Sequence, residues 1–167
     1  RDMQVLPTVD GRYERRRSET GGEITDPAGS TGMRMDDIDA VLAEFQHALG
    51  ASSGAQQVGA RVVFSGEIRN FSHGKEVLRL EYTAHKVLAE KHMLEVVRAA
   101  AGEFPLIGAM CVHRIGLLDV CESAVVVVTA GRHRGETYAA NRYIIDRVKA
   151  ETPIWKKEFF ADGTSLW

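Results

Sequence analysis

Apolar residues recur along the chain at helical spacing in three places. Between residues 35 and 50 they repeat every three or four positions, which is typical of an amphipathic helix with one buried face. Residues 85–104 show the same period and stop before Pro105, which predicts a second helix. A third helix is predicted to follow Gly131. Its buried side comprises Ala140, Ile144 and Val148, flanked by Thr137 and Ile145.

Alternating apolar and polar positions predict strands between these helices. Residues 60–70 and 76–83 alternate with a period of two around a turn at Gly74, so we expect them to form a hairpin or meander. Residues 106–116 and 123–130 predict two more strands, and the second is apolar on both faces, as a central strand would be. This order of elements predicts an α+β or mixed α/β fold with helices packed on a sheet.

The first 33 residues follow neither period. They are poor in apolar side chains and rich in glycine and charge, so we interpret residues 1–33 as an arm or flexible extension before one domain at 34–167. The glycine pair at 21–22 could end a ubiquitin-like tail. However, about 20 preceding residues are too few for such a domain, and a turn is the better interpretation.

Composition excludes several classes of protein. A net charge of −2 argues against a general nucleic-acid binder, and no apolar run approaches the roughly 18 residues of a membrane span. Cys111 and Cys121 form no CxxC pair and lack histidine partners at metal spacing. We therefore expect a cytoplasmic protein with two reduced thiols and no metal or other cofactor.

Positive charge is concentrated near the C-terminal end. Residues 131–157 carry a balance of +4, whereas the remainder of the chain carries −6. A basic segment on an acidic protein indicates a local anion site. His133 and Arg134 fall at the start of the third helix, where free N–H groups favour an anion. The alternative to an anion site is that the charged residues at 132–134 are simply solvated in a loop. From these residues alone, that alternative is favoured.

Further candidates lie on the same segment and at one strand end. Lys149 points away from the buried side of the third helix, and Arg142 is placed to pair with Asp146. Lys156 lies beyond Pro153 in "PIWKKEFF", where a partly apolar pocket would let a lysine act as a base or nucleophile.

Arg69 ends the polar face of the first strand, where it could hold a phosphate or form a cross-strand ion pair. His113 and Arg114 precede a glycine turn, and we interpret them as structural or surface residues. No Ser-His-Asp, Cys-His, P-loop or GxGxxG arrangement is present, so simple hydrolases, NTPases and dehydrogenases have no support.

Several motifs in continuous order resemble one known family. They are "GARVVFSGEIRN", "VLRLEYTAH", "VHRIGLLDVCESAVVVV", "RHR", "NRYIIDRVKAETPIWKKEFF" and "DGTSLW". Together they are similar to the large, catalytic subunit of molybdopterin synthase over about residues 54–167, although "EYTAH" replaces the more usual "EYEAY".

The resemblance implies a fold of the α/β hammerhead type with an added antiparallel β subdomain. It also implies a homodimer within a heterotetramer that carries a small ubiquitin-like subunit at each end. That subunit's C-terminal Gly-Gly thiocarboxylate would supply sulfur, transferred twice to cyclic pyranopterin monophosphate to form the molybdopterin dithiolene.

The resemblance also assigns residues. By this resemblance, the family's active-site lysines correspond to Lys149 and Lys156. Its phosphate- and pterin-binding residues correspond to Arg69, His133 and Arg134. We add Arg142 as a substrate-binding candidate. The alternative is a non-catalytic module that binds a ubiquitin-like protein or a small phosphorylated ligand.

Overall fold

Two antiparallel sheets of five strands each and three α-helices form the part of the chain that the structure, a computed structural model, describes: residues 2–4, 8–9 and 38–167. The helices are α1 (Ile38–Gly50), α2 (Lys86–Glu103) and α3 (Arg134–Glu151), with a short 3-10 helix at Ala55–Gln57. The strands are β1 (Asp2–Gln4), β2 (Thr8–Val9), β3 (Ala60–Glu67), β4 (Phe71–Ser72), β5 (Lys75–Ala84), β6 (Leu106–Arg114), β7 (Gly116–Asp119), β8 (Ser123–Gly131), β9 (Ile154–Phe160) and β10 (Ser165–Leu166).

The first sheet has the order β1-β6-β8-β3, with β2 also paired to β6. All nine residues of β8 are buried, which confirms its predicted central position. Because successive side chains of a strand point to opposite faces, Val126 and Val128 pack against α1, whereas Val125 and Val127 pack against α2 and α3. The sheet is therefore covered by helices on both faces.

The second sheet has the order β10-β9-β5-β4, with β7 also paired to β5. The expected hairpin between residues 60–70 and 76–83 is wrong, because β3 pairs with β8 whereas β5 pairs with β9. The turn at His73 and Gly74 does exist, and both residues have positive φ, but it joins β4 to β5. The chain changes sheets after β3, where Ile68 enters the core of the second sheet.

Two short N-terminal strands pair with β6, which the sequence analysis did not predict. Residues 2–4 lie opposite residues 112–114, and residues 8–9 lie opposite residues 108–109. Residues 5–7 and 10–37, including the glycine pair at 21–22, lie outside the described residues.

Helix α3 crosses the first sheet and is anchored by one buried amide. The predicted buried residues of α3 are confirmed, and Asn141 joins them at 4% exposure. Its Nδ2 donates to the carbonyls of Val62 and Val127, each at 3.1 Å, and lies 3.2 Å from Oγ1 of Thr129. This side chain therefore ties the helix to both β3 and β8.

Candidate functional site

The predicted site residues fall into two groups at opposite ends of the first sheet. Ala60 pairs with Gly131 at one end, and Glu67 pairs with Ser123 at the other. At about 3.3 Å per residue the two pairs are roughly 23 Å apart. His133 and Arg134 follow the first pair and Arg69 follows the second, so these three residues do not meet within one chain.

The first group lies at the start of α3. His133 and Arg134 are exposed there, and the His133 backbone N–H donates to the Glu136 carboxylate at 2.9 Å. A Cβ added to Gly131, the last residue of β8, would lie 2.5 Å from Oγ1 of Thr137, so the close approach of β8 to α3 requires glycine there. The result is an exposed helix N-terminus that Glu136 caps and that carries two basic side chains, whose positive charge is suited to binding an anion.

The second group lies where the two sheets meet. Tyr82 of β5 pairs with Lys156 of β9 in the second sheet. The Tyr82 ring also contacts the ring of His113, near the end of β6, with centroids 5.0 Å apart and planes at 73°. This edge-to-face contact joins β5, the neighbour of the strand that carries Lys156, to the end of the first sheet. We call the region the sheet junction.

Lys149 approaches the sheet junction from the last turn of α3. Its side chain is exposed, as the helical spacing predicted, and its Nζ lies 5.8 Å from the centroid of the Phe64 ring on β3. Burial, together with the positive charge of Lys149, lowers the pKa of His113 to about 4, against the opposing effect of a hydrogen bond to the Arg114 carbonyl. The charge of Lys149 therefore helps to keep the His113 ring neutral.

Lys156 is paired with a carboxylate. Its Nζ lies 2.9 Å from Oε1 of Glu158, a residue only 4% exposed. Ser72 also donates to both carboxylate oxygens of Glu158, at 3.2 and 3.1 Å. Burial opposes ionisation of Glu158, but the hydrogen bond and charge of Lys156, with smaller contributions from Ser72 and His73, hold its pKa below the usual value. The sequence analysis suggested a partly apolar pocket around Lys156. The structure instead pairs Lys156 with the Glu158 carboxylate.

Lys157 lies on the opposite face of β9. Its Nζ is 5.2 Å from the ring centroids of both Phe159 and Trp167. Strand alternation therefore separates the two adjacent lysines, with Lys156 beside Glu158 and Lys157 among aromatic rings.

Two predicted arginines lie on the surface. The side chain of Arg142 is 84% exposed and forms the predicted pair with Asp146 at 3.3 Å. Arg69 is also exposed and lies one residue beyond Ile68, which hydrogen bonds to the backbone of Cys121 and Glu122. Arg69 is therefore at the same end of the first sheet as His113.

Sequence reasoning missed Glu158 and Tyr82. The period of two in "WKKE" places Glu158 on the face of Lys156 and could have indicated a pair. Nothing local indicates that Tyr82 meets His113, because that contact joins two different sheets. His113, interpreted as structural or surface, is buried, and Arg114 is held by Glu122 at 3.1 Å.

Within residues 2–4, 8–9 and 38–167, no three His, Cys, Asp or Glu side chains come together as a metal site. In the same part of the chain, no helix is both long and apolar enough to cross a membrane.

The fold and the site define an α+β protein with two antiparallel sheets, lysines at the sheet junction and a separate basic helix start. The sequence profile of the MoaE protein family matches residues 36–151. The chain therefore belongs to the MoaE family, which confirms the relationship inferred from its motifs.

Similar proteins match about two thirds of this chain and share its fold. A curated relative from Thermoplasma volcanium, named molybdopterin synthase catalytic subunit, is 38% identical over 109 residues, covering 65% of this chain and 80% of the relative. One of the same name from Nostoc is 41% identical over 110 residues, covering 65% and 67%. The crystal structure of molybdopterin synthase from Staphylococcus aureus is 38% identical with a TM-score of 0.63, covering 67% of this chain and 81% of that one. These similarities confirm the predicted fold class.

Proposed function

We propose that this chain is the catalytic subunit of a cytoplasmic molybdopterin synthase. It transfers sulfur from the C-terminal thiocarboxylate of a small ubiquitin-like subunit to cyclic pyranopterin monophosphate, which becomes the molybdopterin dithiolene. The observation that carries the proposal is that the fold of a MoaE family member brings Lys149 and Lys156 from different elements to one sheet junction.

The two lysines supply positive charge where the reaction moves negative charge. A thiocarboxylate is an anion, and its acyl oxygen and sulfur exchange negative charge as sulfur leaves. Ammonium groups that interact more strongly with this transition state than with the bound substrate accelerate the reaction. Lys149 is exposed and meets the incoming tail, whereas Lys156, oriented by Glu158, faces the pterin.

The phosphate of the substrate needs its own cations. Arg69 lies at the junction end of the sheet, but His133 and Arg134 of the same chain lie roughly 23 Å away along β3. A homodimer resolves this separation if each site is shared. One copy then supplies Arg69 and the lysines, and the other supplies His133 and Arg134. Arg142, on the exposed side of α3 between the two groups, then contacts the substrate of the shared site.

Strand β3 offers a route to that arrangement. It pairs with β8 on one side, and none of the described strands pairs with its other edge. Antiparallel pairing of β3 with β3 of a second copy would place the Glu67 end of one beside the Ala60 end of the other. Arg69 of one copy would then lie near His133 and Arg134 of its partner.

Reconstitution tests the function directly. The chain is mixed with a thiocarboxylated small subunit and cyclic pyranopterin monophosphate, and the dithiolene product is assayed after a single turnover. We expect product with the thiocarboxylate and none with the plain carboxylate of the same subunit, which is the matched control. A tight complex with the small subunit that yields no product would instead identify the non-catalytic binding module.

A further inference from the structure

His113 is a buried histidine to which the proposed reaction assigns no role. It lies near the end of β6, opposite Val125 of β8, and is 7% exposed. A histidine at such a position could simply fill space. Three features of its surroundings argue for more than that.

The first feature is a fixed tautomer. Nδ1 of His113 lies 2.7 Å from the carbonyl oxygen of Arg114. A carbonyl only accepts hydrogen bonds, so Nδ1 carries the hydrogen and Nε2 keeps its lone pair. Among the described residues, none donates a hydrogen bond to Nε2.

The second feature is a fixed ring. The Tyr82 ring meets it edge to face at 5.0 Å. Arg114, whose carbonyl holds Nδ1, is itself held by Glu122 at 3.1 Å and by the carbonyl of Ser123 at 3.4 Å. The imidazole therefore cannot turn without disturbing both the sheet junction and the end of β8.

The third feature is the charge that faces the ring. His113 pairs with Val125, on the sheet face that α3 covers, and Lys149 of α3 lies over Phe64 on that same face. Tyr82 contacts the ring from β5, and Arg114 with Glu122 flank it on the side of Nδ1. Because burial and Lys149 lower the pKa of His113 to about 4, the ring is neutral at physiological pH. A neutral ring with a free lone pair attracts an ammonium group, whereas a charged ring would repel it.

We propose that His113 is a positioning residue for Lys149: in the occupied site its Nε2 accepts a hydrogen bond from the Lys149 ammonium and holds that charge at the sheet junction. This rests on the proposed function. In the present structure the ammonium lies over Phe64, so the hydrogen bond forms when the thiocarboxylate tail draws Lys149 inward.

Three substitutions separate the parts of the imidazole. His113→Phe keeps the ring contact with Tyr82 and removes the acceptor. His113→Gln keeps an acceptor near the position of Nε2. His113→Asn keeps a donor near Nδ1 and has nothing at Nε2. We expect the Phe and Asn variants to lose roughly 10- to 100-fold in single-turnover rate, the effect of losing one hydrogen bond to a charged group. The Gln variant should keep most of the rate.

A double-mutant cycle links the effect to Lys149. In a Lys149→Gln background, His113→Phe should cause no further loss of rate, because the ammonium that it positions is already absent. In a Lys156→Gln background, the matched control, the loss should remain in full.

The outcomes distinguish this inference from the proposed function. If the wild-type chain makes no dithiolene, the proposed function fails. If the wild type is active and His113→Phe matches it, or if its loss adds fully to that of Lys149→Gln, the positioning role is wrong. Should the Phe variant fail to fold, equal rates for the Gln and Asn variants would overturn the inference equally well.

Discussion

At the scale of single residues, the adjacent lysines of "PIWKKEFF" have different environments because they lie on a strand. Lys156 is paired with buried Glu158, whereas Lys157 lies against Phe159 and Trp167. Identical side chains one position apart are therefore predicted to differ in function. The two provide a matched comparison within one strand.

Replacing the lysines one at a time tests this difference. Lys149→Ala and Lys156→Ala should each cut single-turnover dithiolene formation by on the order of 10²-fold, the scale for losing one preorganised electrostatic contact. Lys157→Ala should have little effect on rate. Melting curves of the three variants control for stability, and equal losses at Lys156 and Lys157, or losses that follow stability, would contradict the assignment.

Glu158 should make stability depend on pH. Its pKa in the folded chain is held below the usual value, so its contribution is present above the unfolded pKa of about 4.3 and is lost as pH falls through the folded value. Glu158→Gln should reduce the free energy of unfolding at pH 7 by about 1–3 kcal/mol. Denaturant unfolding of both proteins from pH 7 to pH 3 should show this difference shrinking; a constant difference would refute it.

At the scale of elements, the sequence predicted the three helices and the strands β3, β5, β6 and β8, but it missed β9 and most of the short strands and predicted the pairing poorly. The periods of α2, α3, β3 and β5 are local properties, and all four were predicted close to their observed bounds. The partner of β3 is β8, far along the chain, and no local pattern favoured it over the neighbouring β5. The division into two sheets follows from such distant pairing, and so does the sheet junction.

The same limit applies to the site. Lys149, Lys156, His133, Arg134 and Arg69 were identified from motifs, because motifs are contiguous in sequence. Their division into two groups required the strand register. Glu158 and His113 became candidate site residues only because they are buried and contact other elements, and a single sequence does not reveal either property.

Asn141 offers a test of how α3 is held. Its amide donates to two strand carbonyls and lies beside the Thr129 hydroxyl. Replacing it with leucine removes these contacts and leaves the buried carbonyl of Val127 and the half-buried carbonyl of Val62 short of a donor. We expect Asn141→Leu to reduce the free energy of unfolding by about 1–3 kcal/mol in urea titration. Arg142→Ala, on the exposed side next to it, should change stability by less than about 0.5 kcal/mol. Equal effects of the two changes would mean that the buried amide does not anchor the helix.

At the scale of the whole molecule, the roughly 23 Å between the two basic groups predicts that each active site is shared between two copies. The chain alone should sediment as a dimer, and with its small subunit as a heterotetramer. A stable monomer at micromolar concentration would contradict this assembly.

Mixing inactive variants tests the shared site more sharply. Lys156→Ala and Arg134→Ala homodimers should both be slow. After unfolding and refolding an equal mixture, half of the dimers combine the two variants, and each such dimer has one intact site. About a quarter of wild-type activity should return. Recovery no greater than that of the separately refolded variants would show that each site is built from one chain.

The length of helix α3 limits where residues can be inserted into or deleted from the chain. Its 18 residues, about 27 Å at 1.5 Å per residue, carry Arg134 at one end and Lys149 near the other. Inserting one residue within the helix would turn Lys149 by about 100° relative to Arg134 and break the register of the shared site. The start of the loop after α1, residues 51–53, sets no such distance, whereas the end of that loop is held by a hydrogen bond from Gly59 to Gly131. We therefore expect insertions and deletions to be tolerated at residues 51–53 and rejected within α3, which a library of single-codon insertions screened for cofactor synthesis would reveal.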